Sequence, residues 1–298
     1  MILVTGEILF DLFGDRRQMG GAPFNFAFHV KKLGLAVRFF SRVGNDDLGR
    51  EILDFLDSHN FDTRDIQIDP DRPTGTVVVT PARDGHTFTI TPDTAWDRIG
   101  FTPRMKACLE QGPDMVYFGS LVQRTGQGRS LIGRIMDWKP AGTRVFCDIN
   151  LRPESYTKAV VHTCVSAADI VKLNREELAQ IRGRDRLSLE AAGRNLINTH
   201  GVQVVILTLG AKGSTWITPE TSWHCPAETP EKIIDTVGAG DAYAAVSAAC
   251  LHRHLPLDTG MALASAFAAR ICSQEGALPE DDAVYQPIKQ RIMNHGTA

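Results

Sequence analysis

Asp235-Thr236-Val237-Gly238-Ala239-Gly240-Asp241 runs directly into the small-residue stretch Ala242 to Leu251. A Gly-Ala-Gly turn at the start of a helix leaves several backbone N–H groups unpaired, bare of side chains and converging on one spot, where the helix dipole adds positive potential. That spot suits an anion. Asp241 follows the turn at once, so it would stand beside such an anion without neutralising the donors, placed to take a proton from a hydroxyl that attacks it. The glycines also suit a plain tight turn before a packed helix, and an acidic residue in a first helical turn stabilises it by about 0.3–1 kcal/mol. A carboxylate at each end of the turn favours the phosphoryl-transfer reading.

Outward from this segment, short β-rich runs alternate with helical stretches. Ile2 to Val4, Val37 to Ser41, Met115 to Phe118, Arg144 to Asp148, Ile170 to Leu173 and Val204 to Leu209 read as strands, with helical periodicity over Phe24 to Leu33 and Leu48 to Asn60. The expectation is an α/β fold, a doubly wound and mainly parallel sheet with helices on both faces and ligands at the carboxyl ends of the strands. Residues 74 to 91 break the alternation. Two alternating runs, Thr74 to Thr80 and His86 to Thr91, joined by Arg83-Asp84-Gly85, form a hairpin signal. Ile8 to Phe13 reads as a continuation of the first strand well beyond normal length. The C-terminal third is helical over Ala239 to His252, Thr259 to Ser273 and Asp282 to Met293.

Composition narrows the function classes. An apolar share of 43% over 298 residues supports one sizeable core, and no low-complexity linker divides it. The formal charge of -3, without a basic run, argues against nucleic acid and leaves small molecules as ligands. The six cysteines stand singly with no Cys-x-x-Cys, so neither zinc nor a disulfide framework is indicated. Met1-Ile2-Leu3-Val4 is strand-like rather than a signal peptide and no apolar run reaches membrane-spanning length, so the expected location is the cytoplasm, with no membrane partner. There is no Walker A pattern, no protein-kinase pattern, and no Gly-x-Gly-x-x-Gly after the first strand.

Other segments accompany the Gly-Ala-Gly-Asp turn: Gly20-Gly21-Ala22-Pro23-Phe24-Asn25-Phe26-Ala27, Val43-Gly44-Asn45-Asp46-Asp47-Leu48-Gly49, Lys172-x-Asn174-x-x-Glu177 and Thr208-Leu209-Gly210-x-x-Gly213. In this order, and across residues 6 to 277, they resemble the signatures of the ribokinase-like (PfkB) carbohydrate kinases. Gly6-Glu7-Ile8-Leu9-Phe10-Asp11 and the Gly20 block look most like fructokinases. The resemblance implies one ribokinase-like domain over 1–298 with a small β-sheet lid from about 8–19 and 74–96, which closes over the sugar and in relatives often forms a homodimer contact. It implies an ATP-dependent, Mg²⁺-requiring kinase acting on a small sugar, with fructose the first choice.

By the same resemblance Asp241 is the general base and Gly238, Ala239 and Gly240 supply the anion hole, with N–H groups from Val237 to Asp241. Asp11, Gly20, Gly21, Asn25 and Arg152 belong to the sugar pocket, and Lys172, Asn174, Thr208, Gly210 and Gly213 to the ATP site. Glu177 and Asn174 would hold Mg²⁺ through water. Asp235, with the loop Gln274-Glu275-Gly276-Ala277, matches the parts that hold K⁺ in several members. Structural roles stand beside these: Asn174 and Glu177 as a capping box, Lys172 as a solvated strand-end lysine, Asn25 on an exposed helix face, Asp235 as a turn residue, and Thr208 to Gly213 as the opening of a hairpin. Asp148-Ile149-Asn150-Leu151-Arg152 resembles a run of fructokinases and 2-keto-3-deoxygluconate kinases, but Pro153-Glu154-Ser155-Tyr156 replaces their following Leu-Trp, which leaves the substrate open. Alternatives are 2-keto-3-deoxygluconate, ribose or a nucleoside, a sugar phosphate held by Arg16, Arg17 or Arg42, and a catalytically silent sugar-sensing protein.

Overall fold

The computed structural model describes residues 1–82, 85–183, 187–230 and 232–294. In chain order the strands are β1 Ile2–Thr5, β2 Leu9–Phe13, β3 Arg16–Gly20, β4 Val37–Gly44, β5 Ile66–Asp69, β6 Gly75–Ala82, β7 Gly85–Ile90, β8 Met115–Gly119, β9 Arg144–Asp148, β10 Ile170–Asn174, β11 Val204–Thr208, β12 Ser214–Ile217 and β13 Ser222–Cys225. The helices are α1 Ala22–Lys32, α2 Asp47–Ser58, α3 Pro103–Glu110, α4 Gly126–Trp138, α5 Lys158–Ala167, α6 Arg175–Arg182, α7 Leu189–His200, α8 Ala239–His252, α9 Leu257–Ile271 and α10 Gln286–Asn294.

The large sheet has the order β13-β12-β11-β10-β9-β8-β1-β4-β5. Its pairs are parallel from β11 to β5, and only β12 and β13 run antiparallel at one edge. Alternation of side chains along each strand divides the core. Ile2, Val4, Tyr117, Phe146, Ile170 and Ile206 pack with α1, α2, α8, α9 and α10, while Leu3, Val116, Phe118, Val145, Val171 and Val205 pack under α3 to α7. Both faces of the central strands are buried, so these strands read as continuous apolar runs. The chain moves from β1 to β4 on one side and returns through β8 on the other, which opens a crevice at the carboxyl ends of β1 and β8.

Ile8 to Phe13 does not prolong β1. The chain leaves the large sheet at Gly6, where φ is 151° and a Cβ would lie 2.4 Å from Pro23 Cγ, and β2 enters a separate sheet of order β3-β2-β6-β7. Close approach of the loop to the start of α1 turns the strand aside. β6 and β7 pair antiparallel as the hairpin signal predicts, although Arg83 and Asp84 of its turn lie outside the described residues. β5, β12 and β13 are four-residue strands with little periodicity to mark them, β5 and β13 at the two edges and β12 between β11 and β13. The expected helix from Asp282 to Met293 begins as a 3₁₀ turn, Asp282–Tyr285, before α10.

Val43-Gly44-Asn45-Asp46-Asp47-Leu48-Gly49 anchors the root of the small sheet. Asp46 caps α2 through the Gly49 N–H at 2.8 Å and also accepts from the Thr74 N–H at 2.7 Å, one residue before β6. Gly49 must be glycine there, because a Cβ would meet the Gly44 carbonyl oxygen at 2.1 Å. No helix among the described residues is long and apolar enough to cross a membrane.

Candidate active site

α8 is apolar on all sides and buried from Ala242 to Leu251, so its N-terminus is held firmly at the crevice. Gly238 caps it with φ 77°, and a Cβ would stand 2.3 Å from Ala277 Cβ, so both the left-handed backbone and the close packing require glycine. The backbone N–H groups of Gly238, Gly240 and Asp241 have no acceptor among the described residues. The Val237 N–H, expected in the anion hole, is instead donated to Asp235 Oδ1 at 3.0 Å. The other Asp235 oxygen accepts the Gly276 N–H at 3.1 Å, so Asp235 staples the turn to the 274–277 loop. The turn role read for Asp235 is present in full.

Asp241 lies on the first turn of α8, and its Oδ2 accepts a hydrogen bond from Asn25 Nδ2 at 2.8 Å. Burial pushes its carboxyl up to about 6; the Asn25 bond works against the rise and the Asp148 charge adds to it. Asn25 is 4% exposed, so it is no surface helix residue, and its Oδ1 has no partner among the described residues.

Beside Gly240 stands Lys172. Its ammonium is 3.7 Å from where a Gly240 Cβ would be, and it donates to Asp148 Oδ1 at 3.0 Å and Oδ2 at 2.8 Å. The two residues are register partners at the carboxyl ends of β10 and β9. At 7% exposure Lys172 is not the solvated strand-end lysine of the alternative reading. Burial is the largest influence and favours its neutral form, but the charge and hydrogen bonds of Asp148, with the charges of Glu177 and Asp241, together raise its pKa. The Tyr117 hydroxyl also donates to Asp148 Oδ2, at 3.3 Å.

Asn174 and Glu177 do form the capping box at the start of α6: the Glu177 N–H donates to Asn174 Oδ1 and the Asn174 N–H to Glu177 Oε2, both at 2.8 Å. Glu177 Oε1 further accepts the Leu151 N–H at 2.8 Å, which ties the segment after β9 to α6. Burial raises this carboxyl. Each oxygen keeps a second lone pair, which fits a hydrated ion held through water rather than one gripped directly. Among the described residues no cluster of three or more His, Cys, Asp or Glu forms a ready metal cage.

On the acceptor side, Asp11 in β2 lies over Gly20 so closely that a Cβ there would meet its Oδ2 at 2.7 Å. Gly21, with φ 110°, brings α1 within reach of the Glu7 carbonyl, 2.6 Å from its own missing Cβ. Burial lifts the Asp11 carboxyl to about 6, and the charge of exposed Arg152 partly opposes the rise. Glu7 was missed as a site residue. It is 3% exposed, its Oε2 has no partner among the described residues, and burial lifts it to about 7, with Arg152 and Asp241 among the charges it feels. The sequence signal was a carboxylate in the turn after an apolar first strand.

Thr208, Gly210 and Gly213 lie one strand beyond Asn174, apart from the Asp241 cluster. Thr208 Oγ1 donates to the Leu173 carbonyl at 3.4 Å, Gly210 has φ 58° with open space above it, and Gly213 is needed because the Cys225 carbonyl would be 2.0 Å from a Cβ. The hairpin reading thus accounts for Gly213, and Gly210 alone offers bare backbone to a ligand.

Helix N-terminal N–H groups without acceptors among the described residues, a buried lysine and a buried carboxylate meet at one crevice, the set of groups that a phosphotransferase with an alcohol acceptor uses. The chain belongs to the pfkB family of carbohydrate kinases, whose profile matches residues 8–282. It is 33% identical to a fructokinase of Vibrio alginolyticus over 265 residues, 85% of this chain and 84% of that one. It resembles in structure the sugar kinase PH1459 of Pyrococcus horikoshii in complex with ATP, with a TM-score of 0.79, 25% identity and coverage of 98% and 100%. A fructokinase of Vibrio cholerae, solved with fructose, ADP and potassium, superposes with a TM-score of 0.78 at 28% identity, covering 96% of this chain and 97% of that one.

Proposed function

We propose that this chain transfers the γ-phosphoryl group of ATP to a hydroxyl of fructose. The observation that carries the reading is Asp241, ionisable near neutrality, bonded to Asn25 and standing at a helix N-terminus where the Gly238, Gly240 and Asp241 N–H groups have no acceptor among the described residues. Its Oδ2 is occupied by Asn25, so Oδ1 takes the proton as the sugar oxygen bonds to the γ-phosphorus and the bond from phosphorus to the bridging oxygen of ADP breaks. The N–H groups of Gly238, Gly240 and Asp241, with the Lys172 ammonium, face the charge on the transferring group. Glu177 and Asn174 would hold Mg²⁺ through water, and the ion, when bound, neutralises phosphate charge. Thr208 and Gly210 border the nucleotide, and Asp235 with the 274–277 loop is the proposed K⁺ site.

A polyol suits the acceptor pocket because two buried acceptors, Asn25 Oδ1 and Glu7 Oε2, wait for donors that hydroxyls would supply. Asp11 adds a third. The small sheet is the proposed lid, and its exposed apolar side chains, Val78 at 41% on one face and Phe88 at 51% on the other, support a homodimer contact there. One observation favours a second substrate: the exposed Arg152 acts on Glu7, Asp11 and Asp241 together, a position from which it could pair with the carboxylate of 2-keto-3-deoxygluconate. ADP release measured over fructose, keto acids, nucleosides and sugar phosphates with Mg-ATP tests both. Fructose is expected to give the highest kcat/KM. A tenfold advantage for another class (about 1.4 kcal/mol) overturns the fructose assignment, and no ADP release with any acceptor would favour a sugar-sensing protein.

A further inference from the structure

Away from the crevice, a cavity of about 480 Å³ opens between the C-terminal ends of α1 and α2 and the start of α10. Lys31, Lys32 and Lys289 line it, with Asp282 the only carboxylate among the lining residues. Lys32 is matched, since its ammonium meets Asp282 at 2.7 Å. Lys31 and Lys289 have no carboxylate partner among the described residues. Lys31 Nζ lies 4.9 Å from the centre of the Phe61 ring, and Lys32 Nζ 5.3 Å from that of Phe28, so aromatic faces orient both ammonium groups. Lys289 packs its stem against Gly34, where a Cβ would fall 2.9 Å from Cε. With Lys32 matched to Asp282, the half-buried ammonium groups of Lys31 and Lys289 line one concave space with no carboxylate partner among the described residues, which suits an anion. Desolvation of Lys31 in this wall favours its neutral form.

We propose that this cavity binds a phosphate group, carried by a small phosphorylated metabolite or present as the free ion, between Lys31 and Lys289. A phosphate is a fitting occupant because it is dianionic near neutrality and supplies several acceptor oxygens to donors from α1 and α10. The neutral donors Ser58, Asn60 and Gln286 on the same walls add hydrogen bonds without adding charge. The site is separate from the transfer chemistry, although α1 spans both: Asn25 near its N-terminus meets Asp241, and Lys31 and Lys32 near its end face the cavity.

Calorimetric titration of inorganic phosphate, and separately of glycerol 3-phosphate, into the full chain at constant ionic strength tests this, with Asp241→Asn, Lys31→Gln and Lys289→Gln titrated in parallel. Binding is expected with Kd below about 10 mM, unchanged in Asp241→Asn and weakened about fivefold or more in each lysine variant. Tighter binding of the ester assigns the site to a phosphorylated metabolite, and equal or tighter binding of phosphate to the free ion. Thermal midpoints check folding, and Lys31→Arg, which keeps the charge, is expected to retain binding even where Lys31→Gln is unstable. Equal affinity in wild type and both folded glutamine variants overturns the proposal, as does no binding of either probe up to about 20 mM.

Discussion

Asn25 Nδ2 and Asp241 Oδ2 lie 2.8 Å apart across a sequence separation of 216 residues. The bond joins the N-terminal turns of α1 and α8, the two helices that frame the crevice from the same face of the sheet. It orients the carboxylate and biases it toward the ionised form, which is the form a general base requires.

Asp241→Asn is expected to lower phosphoryl transfer by roughly 10²–10⁴ while the nucleotide Kd stays nearly constant. The substitution keeps side-chain size and leaves the Gly238 and Gly240 amides in place. Kinetics, nucleotide binding and thermal midpoint on one sample separate loss of the base from loss of the fold, and near-normal kcat in folded protein would exclude Asp241 as the base.

Asn25→Leu removes the hydrogen bond that stabilises ionised Asp241, so the carboxyl should rise from its value of about 6. Since the base acts when ionised, activity increases with pH through that value, and the acid limb of the kcat/KM profile should move upward by about one unit. An unmoved limb, with only KM raised, would leave Asn25 as a sugar contact alone.

Glu177→Gln should raise the Mg²⁺ concentration needed for activity and also reduce stability. Glutamine has one acceptor oxygen, whereas Glu177 serves two N–H groups, those of Leu151 and Asn174. A cost of about 1–3 kcal/mol follows from the N–H left unpaired. Chemical denaturation and Mg²⁺ titration read the two effects separately, and an unchanged Mg²⁺ dependence would confine Glu177 to its structural role.

Glu7 binds its proton more tightly in the fold, its carboxyl being raised from 4.5 to about 7 by burial. Between those values the folded chain keeps a proton that the unfolded chain has lost, so stability falls as pH rises through the window. Asp11 and Asp241, each raised to about 6, act in the same direction. Glu7→Gln, neutral throughout, should flatten the decline in thermal midpoint between about pH 5 and pH 8 without abolishing it. An identical slope in wild type and variant would show that Glu7 ionises normally.

Much of the architecture was legible because its determinants are local. The apolar runs of β1, β8, β9, β10 and β11 stand out since both faces of those strands are covered, and Gly238-Ala239-Gly240 announces a helix start because Gly238 takes a left-handed backbone that favours glycine. The capping box of Asn174 and Glu177 spans three residues and is likewise local. Charge environment and close approach were not legible. Lys172 reads as a solvated strand end until β9 brings Asp148 beside it, and Val237 reads as an anion-hole donor until Asp235 claims its N–H. Glu7 is an ordinary turn glutamate in the chain and becomes a buried, partly unpartnered acceptor only when β2 leaves the large sheet and α1 packs over it. Local backbone preference and hydrophobic pattern are properties of neighbouring residues, so the sequence by itself determined the layers and the glycine turn that starts α8. Desolvation and Coulomb interaction depend on distances between residues far apart in the chain, so the tertiary structure decided which carboxylates hold protons and which lysine is paired.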